Sequence, residues 1–156
     1  MSIALDAADK KILQLLQKDA TLTHQQISDR IDISATSVWR RIKNLEEVGV
    51  ITARVALLDP QKVGMQVCAL INIRLVRHGD ESRIDFEEFI AGRPEVMECY
   101  AVIGEYDYAL MVRVPNVETY EKFLTSCLLS NENVAASNSS FTLRQVKYTT
   151  AQILDL

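Results

Sequence analysis

The spacing of apolar residues changes near residue 50 of this 156-residue chain, and that change limits the fold more than any single motif. Ahead of it, apolar residues recur every three or four positions, the spacing of a buried helix face. "LDAADKKILQLLQKD" places Ala8, Ile12, Leu15 and Leu16 together, "LTHQQISDRI" pairs Ile27 with Ile31, and "ATSVWRRIKNLEEVG" aligns Val38, Ile42 and Leu45. Start and stop signals frame these three helices. Asp6 is placed to cap the first, with Asp9 near its positive end. Thr23 and Gln26 have capping-box spacing for the second, and Ser34 can cap the third. Gly49 follows, where a left-handed residue is wanted.

Past residue 50 the pattern becomes that of strands alternating with helices. "VITARVALLD" reads as extended, and Pro60 and Gly64 mark a linker. "QVCALINIRLV" is a strand. "RIDFEEFIAGRP" is a helix burying Ile84, Phe86, Phe89 and Ile90, stopped by Gly92 and Pro94. "EVMECYAVIG" and "DYALMVRVP" are strands joined by "GEY". "NVETYEKFLTSCLL" is a helix burying Val117, Tyr120, Phe123, Leu124, Cys127 and Leu128, and "NSSFTLRQVKY" is the last strand. The expected fold is α+β: an N-terminal winged helix-turn-helix domain over 1–51, an extended linker over 52–64, and a ferredoxin-like βαββαβ domain over 65–150.

An antiparallel sheet with both helices on one face leaves the other face wet, so its strands should alternate. They do not. In the first strand Val67, Ala69, Ile71, Ile73 and Leu75 lie on one side, yet Cys68, Leu70 and Val76 make the other apolar too. In the second, Met97, Cys99, Ala101 and Ile103 oppose Val96, Tyr100 and Val102. A second apolar face without a helix to cover it predicts a homodimer through the sheet.

Charge narrows the function. The net charge is −4, but residues 1–60 carry eight Lys/Arg against eight Asp/Glu, so the acid excess lies entirely in the second part. A polyanion would therefore meet the first part. No apolar run approaches the roughly 18 residues of a membrane span, and "MSIALDAADKK" lacks the order of a signal peptide. A cytoplasmic protein is expected, without membrane contact. Cys68, Cys99 and Cys127 form no C-x-x-C pair and read as small core residues. His24 and His78 lie in different segments, so no metal site and no catalytic His cluster is expected.

The third helix holds the only Trp beside a basic cluster, "VWRRIK". Two helices joined by a short turn suggest a helix-turn-helix, whose second helix enters the major groove. With Val38, Ile42 and Leu45 inward, Thr36, Ser37, Trp39, Arg40 and Lys43 lie outside or at the margin. Ser34, Thr36 and Ser37 suit phosphates or base edges. Arg40 has the fork to grip guanine, and Arg41 and Lys43 read as phosphate contacts, with Arg30 and Arg54 extending the patch. A merely solvated basic face is the competing reading. It leaves the exposed Trp39 ring unexplained unless that ring packs on a neighbour.

These residues resemble a known family. The stretch from "LDAADKKILQ" to "NLEEVGVI" is similar to the N-terminal DNA-binding domain of the Lrp/AsnC, or feast/famine, regulators. "ALLDPQKVG" is similar to their linker, and "PEVMECYAVIGEYDYALMVRVPNVETYEKFL" and "SSFTLRQVKYTT" to their effector-binding domain. The resemblance implies a transcription regulator whose dimers pair through the sheets and, in the family, often assemble further into octamers, though the sequence does not separate dimer from octamer. It also implies a small amino acid bound between subunits, with Gly104, Tyr106 and Asp107 after the second strand and Ser140, Phe141 and Thr142 on the last strand forming the site. Asp107 would hold the ammonium, and free amides near Gly104 the carboxylate. From the residues alone, Gly104 and Asp107 read first as turn-formers. "QVKYTT" leans towards a Leu-, Met- or Cys-type effector. One departure is Asp32, where the turn often carries Gly; Asp tolerates a left-handed backbone.

Two rival functions share this architecture. An amino-acid-sensing module without a DNA role would not need Arg40, Arg41 and Lys43 on an exposed helix. A haem-precursor decarboxylase would want His and Arg around an acidic tetrapyrrole, and residues 65–156 offer only His78.

Overall fold

The computed structural model describes residues 3–77 and 79–154; His78 lies outside the described residues. The chain divides into two compact units. One holds the chain up to Leu57 together with the segment from Lys147 onward; the other spans Leu58–Val146. The expected junctions at 51/52 and after 150 therefore move, because the chain re-enters the helical unit after Val146.

The helical unit contains α1 (Ala7–Leu16), α2 (His24–Ile31) and α3 (Ala35–Glu47). Each begins on a polar cap. The Asp9 amide donates to Asp6 Oδ1 at 2.8 Å while Asp9 accepts from the Asp6 amide, which makes a full capping box rather than a lone cap. Thr23 and Gln26 form the second box, and Ser34 Oγ accepts from the Ser37 amide. The turn between α2 and α3 runs through Asp32 at φ 57°, ψ 47°, the left-handed conformation for which Gly is the usual choice. Ser28 Oγ donates to the Ile33 carbonyl at 2.6 Å and ties that turn down. Gly49, at φ +74°, closes α3: its amide reaches Glu46 O and the Val50 amide reaches Leu45 O. Ile12, Leu22, Ile27, Val38 and Ile42 form the core, flanked by Leu15, Leu16, Ile31, Ile33 and Ile51.

The second unit is a four-stranded antiparallel sheet in the order β2-β3-β1-β4, built from β1 (Val67–Leu75), β2 (Val96–Ala101), β3 (Tyr108–Val114) and β4 (Val134–Phe141). α4 (Asp80–Ala91) and α5 (Val117–Phe123) cover one face, burying Phe86, Ile90, Tyr120 and Phe123 against Ala69, Ile71, Ile73, Leu110 and Val112. α5 runs on as a π-helical turn, Leu124–Leu128.

Several expectations are corrected. Ile84 is exposed because it sits two positions from Phe86, about 200° around the helix. Val117 is exposed at the first position of α5. β4 starts at Val134 and stops at Phe141, because β1 supplies partners only from Leu75 back to Ala69. β2 carries a bulge between Val96 and Glu98, so Val96, Cys99 and Ala101 share the inward face through Val112, Leu110 and Tyr108. Met97 is thus not in line with Cys99 and Ala101. Cys99 is exposed and Cys68 and Cys127 are partly buried, so none is a full core residue. The uncovered face carries Cys68, Leu70 and Asn72 of β1, Ala109 and Met111 of β3, and Glu98 and Tyr100 of β2. Leu70 is 49% exposed and Tyr100 58%.

Candidate nucleic-acid interface and effector site

Helical geometry sorts the α3 residues into two groups. Val38, Ile42 and Leu45 are buried. Thr36, Trp39, Arg40 and Lys43 fall at i, i+3, i+4 and i+7 and form one exposed stripe. Trp39 is 49% exposed, and Lys43 Nζ lies 5.5 Å from its ring centroid, a cation–π contact on the open side of the helix. Lys43 also stands 3.7 Å from Glu47. Arg40 is exposed and makes no ion pair among the described residues. At the helix start, Ser34 Oγ is engaged in the cap and Ser37 is half-buried.

Arg41 departs from its expected role as a phosphate contact. Its Nη1 donates to Asp6 Oδ2 and Asp9 Oδ1, both at 2.7 Å, and its side chain is only 29% exposed. One position along a helix is a turn of about 100°, so Arg40 faces out while Arg41 faces α1. The Asp9 amide, and then Arg41, holds the Asp6 carboxyl below its ordinary value. The two carboxylates in turn raise the Arg41 guanidinium. Arg54 is likewise engaged, with Glu46 at 2.8 Å.

In the sheet unit, the loop 102–107 is fastened to β1. The Asp107 amide donates to Ile73 O at 2.8 Å, the Val102 amide to Asp107 O at 2.9 Å, and Asp107 Oδ2 accepts from the Leu75 amide at 2.7 Å. The Asp107 carboxylate, expected to meet an ammonium, thus has a backbone partner already. Gly104 has φ +157°, a backbone that glycine adopts readily. Arg74, which the sequence reading passed over, holds the same loop. Its Nε donates to Glu105 O, its Nη2 meets Glu105 Oε1 at 3.1 Å, and its guanidinium lies 5.5 Å from the Tyr106 ring. A lone charge inside the apolar run "INIRLV" was the available signal.

The six effector residues do not converge within one chain. Ser140 and Phe141 pair with Leu70 and Ala69, and the Thr142 amide reaches Cys68 O. Asp107 binds β1 at Ile73 and Leu75. From Leu70 to Ile73 is three residues and from Cys68 to Leu75 seven, or about 10–23 Å of strand. The two sets also flank β1 on opposite sides, since β3 and β4 pair with different edges. Ser140 and Phe141 further point to opposite faces of the sheet. The Phe141 ring meets Tyr120 edge-on at 4.8 Å, on the helix-covered side.

A helix-turn-helix unit with an exposed basic stripe, joined to a ferredoxin-like unit, is the architecture of a DNA-binding regulator with a ligand-binding domain. Residues 5–52 match the winged helix-turn-helix DNA-binding model and residues 68–152 the Lrp/AsnC ligand-binding domain. The chain belongs to the Lrp/AsnC family of transcriptional regulators. It is 36% identical over 147 residues to the DNA-binding transcriptional activator DecR of Escherichia coli K12, covering 94% of this chain and 97% of that one. It is 38% identical over 146 residues to the glutamate uptake regulatory protein of Zymomonas mobilis, covering 94% and 88%. Among solved structures, a Neisseria meningitidis transcriptional regulator in complex with L-Met superposes with a TM-score of 0.92 at 36% identity, over 97% of this chain and 98% of that one. These matches support a DNA-binding transcriptional regulator over either rival reading. Among the described residues, no helix is long and apolar enough to cross a membrane.

Proposed function

We propose that this regulator reads double-stranded operator DNA with the exposed stripe of α3 and changes its DNA affinity or assembly when it binds a small amino acid. The observation that carries the reading is the placement of Thr36, Trp39, Arg40 and Lys43 on one open face, with the helix otherwise anchored in the core. Arg40 reads a base edge, Lys43 meets phosphate, and Ser34 and Ser37 lie at the helix start beside the backbone. The effector contacts Gly104, Tyr106 and Asp107 of one subunit and Ser140 and Thr142 of another. Their separation within one chain supports a site completed by a second copy. Phe141 supports that site from the core side through Tyr120. A Met-, Leu- or Cys-type effector is favoured, in keeping with the L-Met complex of the Neisseria relative. The protein works in the cytoplasm as a homodimer through the uncovered sheet face, with dimers joining into octamers.

Fluorescence anisotropy of labelled DNA from upstream of the protein's own gene tests this. Protein is titrated at two salt concentrations, with and without a panel of amino acids, while Trp39 emission is followed. Salt-sensitive, sequence-preferring binding that shifts with one amino acid is expected. Absence of DNA binding under every condition would overturn the reading.

A further inference from the structure

We infer that Arg41 is a positioning residue for the DNA-reading helix, held by Asp6 and Asp9, and takes no part in binding phosphate. The inference rests on α3 being the reading helix. Its basis is geometric. One guanidinium nitrogen donates to two carboxylates at 2.7 Å each, and those carboxylates lie 35 and 32 residues away at the start of α1. The same two acids form the capping box that starts α1, so a single cluster sets both the beginning of α1 and the rotation of α3.

The arrangement is hard to release. The Asp9 side chain is only 17% exposed and accepts from Arg41 Nη1 at 2.7 Å. Turning Arg41 towards a phosphate would leave Asp9 half-buried without its cation, and stranding one member of such a pair costs more than the pair itself contributes. Arg41 is therefore committed to α1. Its neighbour Arg40 is aimed outward by the same helical step, so adjacent and identical side chains do different work. A helix rotated by a lost clamp would still carry its positive charge to DNA, but would place Arg40 and Thr36 off the base edges. The clamp is thus expected to govern specificity rather than electrostatic attraction.

The two roles predict opposite signs for one experiment. The double variant Asp6→Asn/Asp9→Asn removes both acids, while Asn at position 6 remains an effective helix cap. If Arg41 bound phosphate, the variant would free it and delete two repulsive charges, and operator binding would tighten. If Arg41 positions α3, operator affinity falls roughly tenfold, the discrimination of one base contact. Affinity for unrelated DNA does not fall, because the variant loses two acids and no base, so the operator-to-nonspecific ratio drops. Arg41→Met is expected to behave like the double variant, and Arg41→Lys to recover much of the operator preference. A merely stabilising clamp would lower the melting temperature and leave the operator-to-nonspecific ratio unchanged well below it. Tighter operator binding by the double variant, a salt slope reduced by about 0.9 in Arg41→Met, or an unchanged ratio would each overturn the inference. If the double variant fails to fold, Asp9→Asn alone carries the same opposed signs. Wild-type protein that binds no DNA would instead overturn the reading of α3 itself.

Discussion

Arg40 and Lys43 share the exposed stripe of α3, and the proposed reading gives them different contacts with DNA. The Arg40 fork is without an ion pair among the described residues and presents two parallel donors, the geometry that matches guanine. Lys43 is a point charge already resting on Trp39 and near Glu47. Arg40→Ala is therefore expected to relax sequence preference, costing about 1–3 kcal/mol at one operator position. Lys43→Ala should weaken operator and random DNA alike and lower the salt slope by about 0.9. Titrations of matched and scrambled duplexes at several salt concentrations separate the two. The acid side of the clamp makes a pH prediction. The Asp6 carboxyl lies below its ordinary 3.8 in the fold, first through the Asp9 amide and then through Arg41. A depressed carboxylate stabilises the fold at pH values above its ordinary value and loses that contribution as pH falls through the folded one. The contribution of Asp6 to the stability of the helical unit should thus shrink as pH falls below about 4, and Asp6→Asn should flatten that dependence, read by thermal unfolding followed by circular dichroism. The sequence reading places Arg40 and Arg41 together on the DNA side. It misses what Arg41 faces, because its partners lie more than thirty residues away and only the packing of α1 on α3 brings them near.

Among the elements, caps were legible because their hydrogen bonds close within three residues, as in Asp6–Asp9, Thr23–Gln26 and Ser34–Ser37. Strand limits and faces were not, because they depend on a partner. β4 ends at Phe141 opposite Ala69, and the β2 bulge was hidden because "VMECYA" is apolar enough in either parity. The return of the tail to the helical unit was equally hidden. It depends on Gln17, the residue closing α1, whose side-chain amide donates to Gln152 O and accepts from the Gln152 amide. This imitates one rung of a β-ladder and so holds backbone rather than a particular side chain. A groove lined by Leu13, Leu16, Val50, Ile51 and Leu57 lies alongside, with Leu154 at its rim. Gln17→Ala should cost the helical unit about 1 kcal/mol, and truncation after Val146 should cost more by uncovering the groove. Both are checked by thermal unfolding, with the sheet unit, which has its own core, keeping its transition. The turn at Asp32 makes a further test. Asp32→Val forces a β-branched side chain into a left-handed backbone and should destabilise the unit by about 1–2 kcal/mol, whereas Asp32→Gly should be nearly neutral.

At the level of the whole molecule, two incomplete features point to one completion. The sheet has a mixed face that neither α4 nor α5 covers, with the apolar Leu70 exposed on the central strand β1 between Met111 and Ser140 on the neighbouring strands. The effector residues lie in two sets, about 10–23 Å apart along β1 and on its opposite edges. The proposed pairing of two copies through this face would resolve both. Leu70→Glu tests the connection, because the side chain points away from the core and the substitution leaves the packing of Ile71 and Ala69 intact. In a monomer the new carboxylate is solvated; in the dimer it would be buried without a partner, which is strongly unfavourable. The variant should sediment as a monomer with unchanged circular dichroism. It should bind operator far more weakly, because two α3 helices no longer reach paired half-sites as one unit, and it should lose its response to the amino acid. A variant that remains a dimer would place the interface elsewhere on the chain. A monomer that still binds the amino acid with wild-type affinity would keep the interface but overturn the shared pocket.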